Sequence, residues 1–113
     1  MTFTIKKGDT SPALTATLID PDGEPAPLAL ADKVEFFLNT PRSDESISAN
    51  MSSGVSILDE DEGRVSYSWS SGDTDAVGQR EAEFVVTFDN GKVQSYPNDG
   101  FIYVIVERDV ETL

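Results

Sequence analysis

Between Arg64 and Ser70 the side chains change character at every residue: Val65, Tyr67 and Trp69 are apolar, while Ser66, Ser68 and Ser70 are small and polar. Successive residues of a strand point to opposite faces, whereas a helix returns to one face every three or four residues, so a period of two fits a half-buried strand and no helix. The same alternation places Leu14, Ala16 and Leu18 on one face of a strand over Ala13 to Ile19, with Thr15 and Thr17 facing water. It places Val34, Phe36 and Leu38 together over Lys33 to Asn39, with Phe37 turned the other way, and Ala82, Phe84, Val86 and Phe88 together over Glu81 to Phe88. Shorter strands are expected at Thr2 to Lys6, Val55 to Leu58 and Lys92 to Tyr96. Phe101 to Val106 is nearly continuously apolar, as expected of a central strand covered on both faces.

Turn residues separate these runs at short intervals. Asp20-Pro21-Asp22-Gly23 and Pro97-Asn98-Asp99-Gly100 combine a proline with a glycine free to take positive φ, and Ser71-Gly72-Asp73 closes the Arg64 to Ser70 strand. Asp89-Asn90-Gly91-Lys92 is the strongest hairpin signal, since Asn-Gly accepts positive φ at both central positions. Pro41 ends the strand before it, and Arg42 to Gly54, rich in serine, reads as a long loop. The pattern predicts an all-β fold, an immunoglobulin-like β-sandwich of seven or eight strands rather than a closed barrel.

With 113 residues the chain has room for one core, and residues 1–113 are read as a single domain. It contains no cysteine and no histidine, which excludes disulfides, zinc fingers and every Ser-His or Cys-His catalytic arrangement. Eight basic residues against 21 acidic ones give a formal charge of −13, so the long-range field repels nucleic acid and anionic lipid. The acids are scattered from Asp9 to Glu111, with one dense run at Asp59-Glu60-Asp61-Glu62. Two readings compete, an ordinary acidic domain whose partners are basic and a protein adapted to high salt, where a Debye length of about 3 Å at 1 M screens the self-repulsion, and the wide scatter favours the second. No apolar segment approaches the roughly 18 residues of a membrane span, and Met1 to Lys7 has no signal-peptide core, so a soluble chain is expected that the usual signal does not export.

The carboxylates offer three places where a calcium ion could find oxygens: Asp20-x-Asp22, the run from Asp59 to Glu62, and Asp73-x-Asp75. None has the spacing of a calcium loop, and all three read first as turns or solvated loops, so no metal or cofactor is expected. A hydrolase built on paired carboxylates is the weakest reading, because nothing singles out a pair. Tyr67, Trp69 and Tyr103 could stack on sugar rings if they lined a groove, but their alternating context makes them core residues first. No nucleotide loop is present, since Gly72, Gly78, Gly91 and Gly100 flank strands and none opens a helix.

Taken in order, Gly8-Asp9-Thr10-x-Pro12, Asp22-Gly23-x-Pro25 followed by Leu28 and Leu30, Val34-x-Phe36-x-Leu38, Gly63-x-Val65-x-Tyr67-x-Trp69, Gly72-Asp73-Thr74, Gly78-x-x-x-Ala82-Glu83-Phe84-x-Val86, Asp89-x-Gly91-Lys92 and Tyr96-Pro97 form a pattern over about Ile5 to Val110. The pattern resembles the N-terminal domain of tailed-phage baseplate upper proteins. The resemblance implies an immunoglobulin-like virion domain, non-enzymatic, that docks to neighbouring structural proteins. It departs from that family at Arg80, where a tyrosine often stands two residues after the glycine. The family continues into fibre or receptor-facing parts, whereas this chain stops at Leu113, which favours a small accessory component of tail, baseplate or head surface.

The expected function is therefore assembly within a virion, through contacts with other virion proteins or with copies of the same chain, and without nucleic acid or membrane. If the acidity does reflect high salt, the virus is one of a halophilic host. Docking is expected to use Thr2, Phe3 and Ile5 within the segment Thr2 to Asp9, which can add as a strand to an exposed sheet edge, together with Phe37 and the loops around Pro41 and Asp73. The rival reading is a carbohydrate-binding or adhesin domain that contacts a host surface.

Overall fold

In the computed structural model, which describes residues 1–39, 48–50 and 52–110, the alternating segments pair into two sheets. The strands are β1 (Thr2–Lys6), β2 (Leu14–Thr17), β3 (Ala31–Asn39), β4 (Ser48–Asn50), β5 (Val55–Asp59), β6 (Arg64–Tyr67), β7 (Gly78–Phe88), β8 (Val93–Tyr96) and β9 (Ile102–Glu107). All eight predicted strands are present, and β4 is additional. It lies in the stretch read as a loop, where three residues without an alternating apolar pattern pair with the end of β3. The only helical segments among the described residues are single 3₁₀ turns at Leu28–Leu30 and Ser52–Gly54.

The larger sheet runs β1-β9-β7-β3-β4, and the smaller runs β2-β6-β5. This is an immunoglobulin-like sandwich, with β9, β7, β3 and β4 in the G, F, C and C′ places and β2, β6 and β5 in the B, E and D places. The pairing of β1 with β9 is parallel, and the other strand pairs are antiparallel. The eleven residues of β7 organise the larger sheet. One edge carries β9 beside Gly78 to Ala82 and then β8 beside Phe84 to Thr87, while the other edge carries β3.

Between the sheets lies the core that the alternation foretells. Leu14, Ala16, Val65 and Tyr67 of the smaller sheet, with Leu18 and Trp69 just beyond the ends of its strands, are buried against Phe36, Leu38, Ala82, Phe84, Val86 and Val104 of the larger. Phe36 is its aromatic centre, stacked on Tyr67 with centroids 4.5 Å apart, tilted 4.9 Å from Phe84 and edge-on to Trp69 at 6.2 Å. Those separations are the offset and edge geometries that aromatic quadrupoles favour. The indole N–H of Trp69 is buried without an acceptor among the described residues, a cost that the burial of its ring outweighs.

Two expectations change. β9 is covered on one face only: Ile102, Val104 and Val106 are buried, but Tyr103 and Ile105 on the opposite face are half-buried. Their shelter comes from neighbours in the same sheet, Thr2 and Thr4 of β1 and Glu81 and Gln79 of β7, instead of a further layer. The turn at Asp89-Asn90-Gly91 is a three-residue connection rather than a two-residue one. Phe88 pairs with Lys92 (N–H to O, 2.8 Å), and Gly91, at φ 85°, donates back to the Phe88 carbonyl at 2.9 Å, which places the one left-handed residue where glycine stands. Gly63 is equally constrained, because at φ 69° a Cβ there would come within 2.6 Å of the Leu18 carbonyl oxygen.

Candidate functional site

Strand β1 uses one of its edges within its own sheet, in register from Thr2 opposite Tyr103 to Lys6 opposite Glu107. Among the described residues no strand pairs with its other edge. The segment is thus not a free arm that adds to another sheet; it is itself the edge to which a strand could add. Ile5 leaves the set of docking side chains, because it is 4% exposed within the core. An inward-facing apolar residue of an edge strand is indistinguishable in sequence from an outward-facing one, which is why alternation alone does not place it. Phe3 is half-buried and stacks on Trp69 at 5.8 Å, so it belongs mainly to the core as well. Thr2, Thr4 and Lys6 face outward, and Lys6 lies 3.6 Å from Glu107 in an exposed ion pair that contributes little.

The outer face of the larger sheet carries the other sequence candidate. Phe37 sits opposite Glu83 on β7, half-buried, and a shallow recess beside it is lined by Asn39, Glu81, Glu83 and Phe101. Phe101 is 41% exposed, and Tyr103 and Ile105 lie on the same outward face. Phe37 therefore contributes to an apolar surface broken by carboxylates. Pro41 lies outside the described residues. Of the aromatic residues considered for sugar stacking, Tyr67 and Trp69 are core side chains, and only Tyr103 reaches the surface.

Asp73 proves to be a structural residue. Its Oδ2 accepts the Tyr67 hydroxyl at 2.6 Å and the Ser70 N–H at 2.8 Å, closing the turn after β6. The same turn is held from two other directions. Thr74, 1% exposed, donates its hydroxyl to the Asp9 carbonyl at 2.9 Å and accepts the Gly8 N–H through its own carbonyl at 3.1 Å. Arg80, buried on β7, donates Nε to the Asn39 carbonyl at 2.9 Å and a terminal nitrogen to the Asp73 carbonyl at 2.8 Å. Burial pushes the Arg80 guanidinium below its ordinary pKa, opposed by the neighbouring Asp73 carboxylate. Burial, the hydrogen bond to Asp73 and its negative charge all push the Tyr67 hydroxyl up, well above the usual tyrosine range.

A second corner of the same kind lies at the opposite end, where β2 leaves the smaller sheet. Asp20 Oδ1 accepts the Tyr96 hydroxyl at 2.5 Å and Gln94 Nε2 at 3.3 Å. Burial again comes first in raising Tyr96 above the usual tyrosine range, followed by the hydrogen bond to Asp20 and the charges of Asp20 and Asp22. Asp20 also serves its own turn, through its carbonyl to the Gly23 N–H at 2.9 Å. Asp59 does the equivalent in the β5–β6 connection, accepting the N–H groups of Asp61 and Glu62 at 3.0 and 3.1 Å. All three acidic motifs are turn devices, and among the described residues no three carboxylates converge as a metal cage would require. Arg80 and the Tyr96–Asp20 pair lie outside the sequence-based expectations; the one signal for them is the arginine standing where the resemblance expects a tyrosine.

No protein-family model matches the chain, and no curated protein matches it.

Proposed function

We propose that this chain is a structural docking module of a tailed-virus particle, a tail, baseplate or head-surface component whose work is to hold neighbouring virion proteins or further copies of itself. The observation that carries the reading is the edge of β1 that no strand pairs among the described residues, continuous through β9 with the outward side chains Tyr103 and Ile105 and, across β7, with Phe37. An edge offers main-chain donors and acceptors to an added strand, and the half-exposed apolar residues beside it offer area to bury. The ordered series of short motifs that resembles baseplate upper proteins supports the same reading, as does the sandwich on which those motifs lie.

Mass spectrometry of density-banded particles from the source strain tests it: the chain is expected in the particle fraction at stoichiometric amount. Its absence from particles overturns the proposal. Replacing Thr2 and Thr4 with lysine, which guards an edge by charge, is expected to abolish incorporation while leaving the melting temperature within a few degrees. Incorporation at the wild-type level would remove β1 from the docking surface. The scattered acidity supports a high-salt setting as part of the same proposal. Thermal stability is then expected to rise from low to molar KCl as self-repulsion is screened, and a flat profile removes the halophilic element.

A further inference from the structure

The Asp20 corner opens into a recess of about 290 Å³, at the lower limit for a whole small-molecule ligand and suited to one side chain. Its lining combines the apolar Pro27, Leu30, Phe88 and Val93 with the polar Asn90, Lys92 and Gln94, and two of the apolar residues remain unusually open, Leu30 at 53% and Val93 at 61% exposure. Carboxylates line it as well, those of Asp20 and Asp89. The recess is held in shape, since the Asp89 N–H donates to the Leu30 carbonyl at 2.9 Å and pins the β7–β8 turn to the 3₁₀ turn before β3. Asp20 is oriented too: Tyr96 and Gln94 both bond to Oδ1, and among the described residues no hydrogen bond reaches Oδ2.

We propose that this recess receives a basic side chain, arginine or lysine, from a docking partner, with its aliphatic stem against Leu30, Phe88 and Val93 and its cationic head on Asp20 Oδ2. The inference rests on the docking function proposed above and names what one contact would recognise. Three observations select a cation on an apolar stem. The first is the combination of apolar walls with carboxylates, which repels anions and suits a side chain that is greasy along its length and charged at its tip. The second is the formal charge of −13, which at low ionic strength raises the local concentration of basic partners. The third is internal: at the opposite end of the sandwich, the turn of the comparable tyrosine–aspartate pair is closed through its main-chain carbonyl by the chain's own Arg80, whereas among the described residues the exposed Lys92 is the only basic side chain lining the Asp20 recess. A sugar would be better served by an open aromatic platform, whereas Phe88 is half-buried and the rim is aliphatic.

The experiment uses the full chain, ¹⁵N-labelled, at low salt, titrated with N-acetyl-arginine amide and N-acetyl-lysine amide, with the uncharged citrulline analogue as control and a panel of monosaccharides in parallel. Saturable shifts of the Leu30, Asp89, Val93 and Gln94 amides are expected with the two cations and none with the citrulline analogue. Asp20→Asn is expected to weaken binding roughly tenfold, the loss of one charge-assisted hydrogen bond. Leu30→Ser, at an exposed rim position, is expected to weaken it several-fold and decides the matter should Asp20→Asn fail to fold. No saturable shift, an equal response to the uncharged analogue, or a response to sugars alone would each overturn the assignment. The docking reading itself stands or falls on presence in particles, so a chain found in particles but indifferent to both cations loses only the pocket.

Discussion

The two ends of the sandwich pose the same physical problem and solve it differently. At each, a buried tyrosine donates its hydroxyl to an aspartate in a turn, Tyr67 to Asp73 at one end and Tyr96 to Asp20 at the other. Around Asp73 the chain supplies everything else itself: Ser70, Thr74 and Arg80 tie the turn to the β1–β2 connection, to the end of β3 and to β7. Around Asp20 the one further side-chain donor among the described residues is Gln94, and an open recess takes the remaining space. Identical pair chemistry thus yields a closed structural joint at one end and an accessible carboxylate at the other. What separates them is a buried arginine bonded to the carbonyls of Asn39 and Asp73 at one end, where among the described residues the other has only the exposed Lys92.

The sharpest way to break the comparison is to remove that side chain. Arg80→Met keeps most of the buried volume but leaves the carbonyl oxygens of Asn39 and Asp73 without their donor, so a loss of about 3 kcal/mol is expected in urea denaturation. Arg80→Lys, with one head group for two acceptors set apart, is expected to recover no more than about half. The corresponding change at the open end, Lys92→Met, touches an exposed side chain and is expected to stay within about 0.5 kcal/mol. Equal losses at the two ends would mean that Arg80 is not what closes the first corner.

The aspartates give the next largest contrast. Asp73→Ala removes the acceptor of both the exposed Ser70 N–H and the hydroxyl of the buried Tyr67, which is left without its partner, and about 2 kcal/mol is expected. Asp20→Ala removes two side-chain bonds as well, but water in the open recess can take their place, and about 1 kcal/mol is expected. Reversal of that order in chemical denaturation would argue that the recess is dry and the Asp20 corner structural.

Alkaline titration probes what the corners share. Both hydroxyls are held in their protonated form above the ordinary tyrosine value of about 10, so the folded state binds protons that the unfolded state has released once the pH passes that value. The stabilisation is complete below about pH 10 and declines as pH rises beyond it. Phenolate absorbance from Tyr67 and Tyr96 is accordingly expected only together with loss of the fold, and Tyr67→Phe and Tyr96→Phe should each remove part of that alkaline sensitivity. Ionisation of either residue in the intact fold would show that its corner is looser than the hydrogen bonds indicate.

The sheets are legible in the sequence because alternation and turn chemistry are local signals. Val65, Tyr67 and Trp69, or Ala82, Phe84 and Val86, announce their buried face without knowledge of a partner strand. β4 is not legible, since Ser48-Ala49-Asn50 carries no alternating apolar pattern. Nor are the corners: Asp73 and Arg80 are seven residues apart, but Asp20 and Tyr96 are separated by most of the chain, and no pattern within a window joins them. A turn aspartate after Gly72 looks solvated, which is why Asp73 reads as a docking residue; its bond to a core tyrosine exists only once β6 is folded. Phe3 and Ile5, expected to dock as part of an added strand, lie inward for the complementary reason, that an edge strand still has one face on the core.

The smallest expected effect bears most directly on why the open corner has the side chains it has. Leu30 and Val93 stand more than half exposed at the mouth of the recess, so they contribute little apolar burial to the fold. Leu30→Ser and Val93→Ser are each expected to change stability by less than about 0.5 kcal/mol in denaturant melts. Val93 sits in a strand, and serine is the poorer strand former, so its change should be the larger of the two. A neutral result makes the apolar rim dispensable to folding and assigns it to whatever enters the recess. A loss above about 1 kcal/mol would instead make the rim part of the joint between the Leu28–Leu30 turn and the β7–β8 hairpin, and the two ends of the sandwich would then differ less than their geometry suggests.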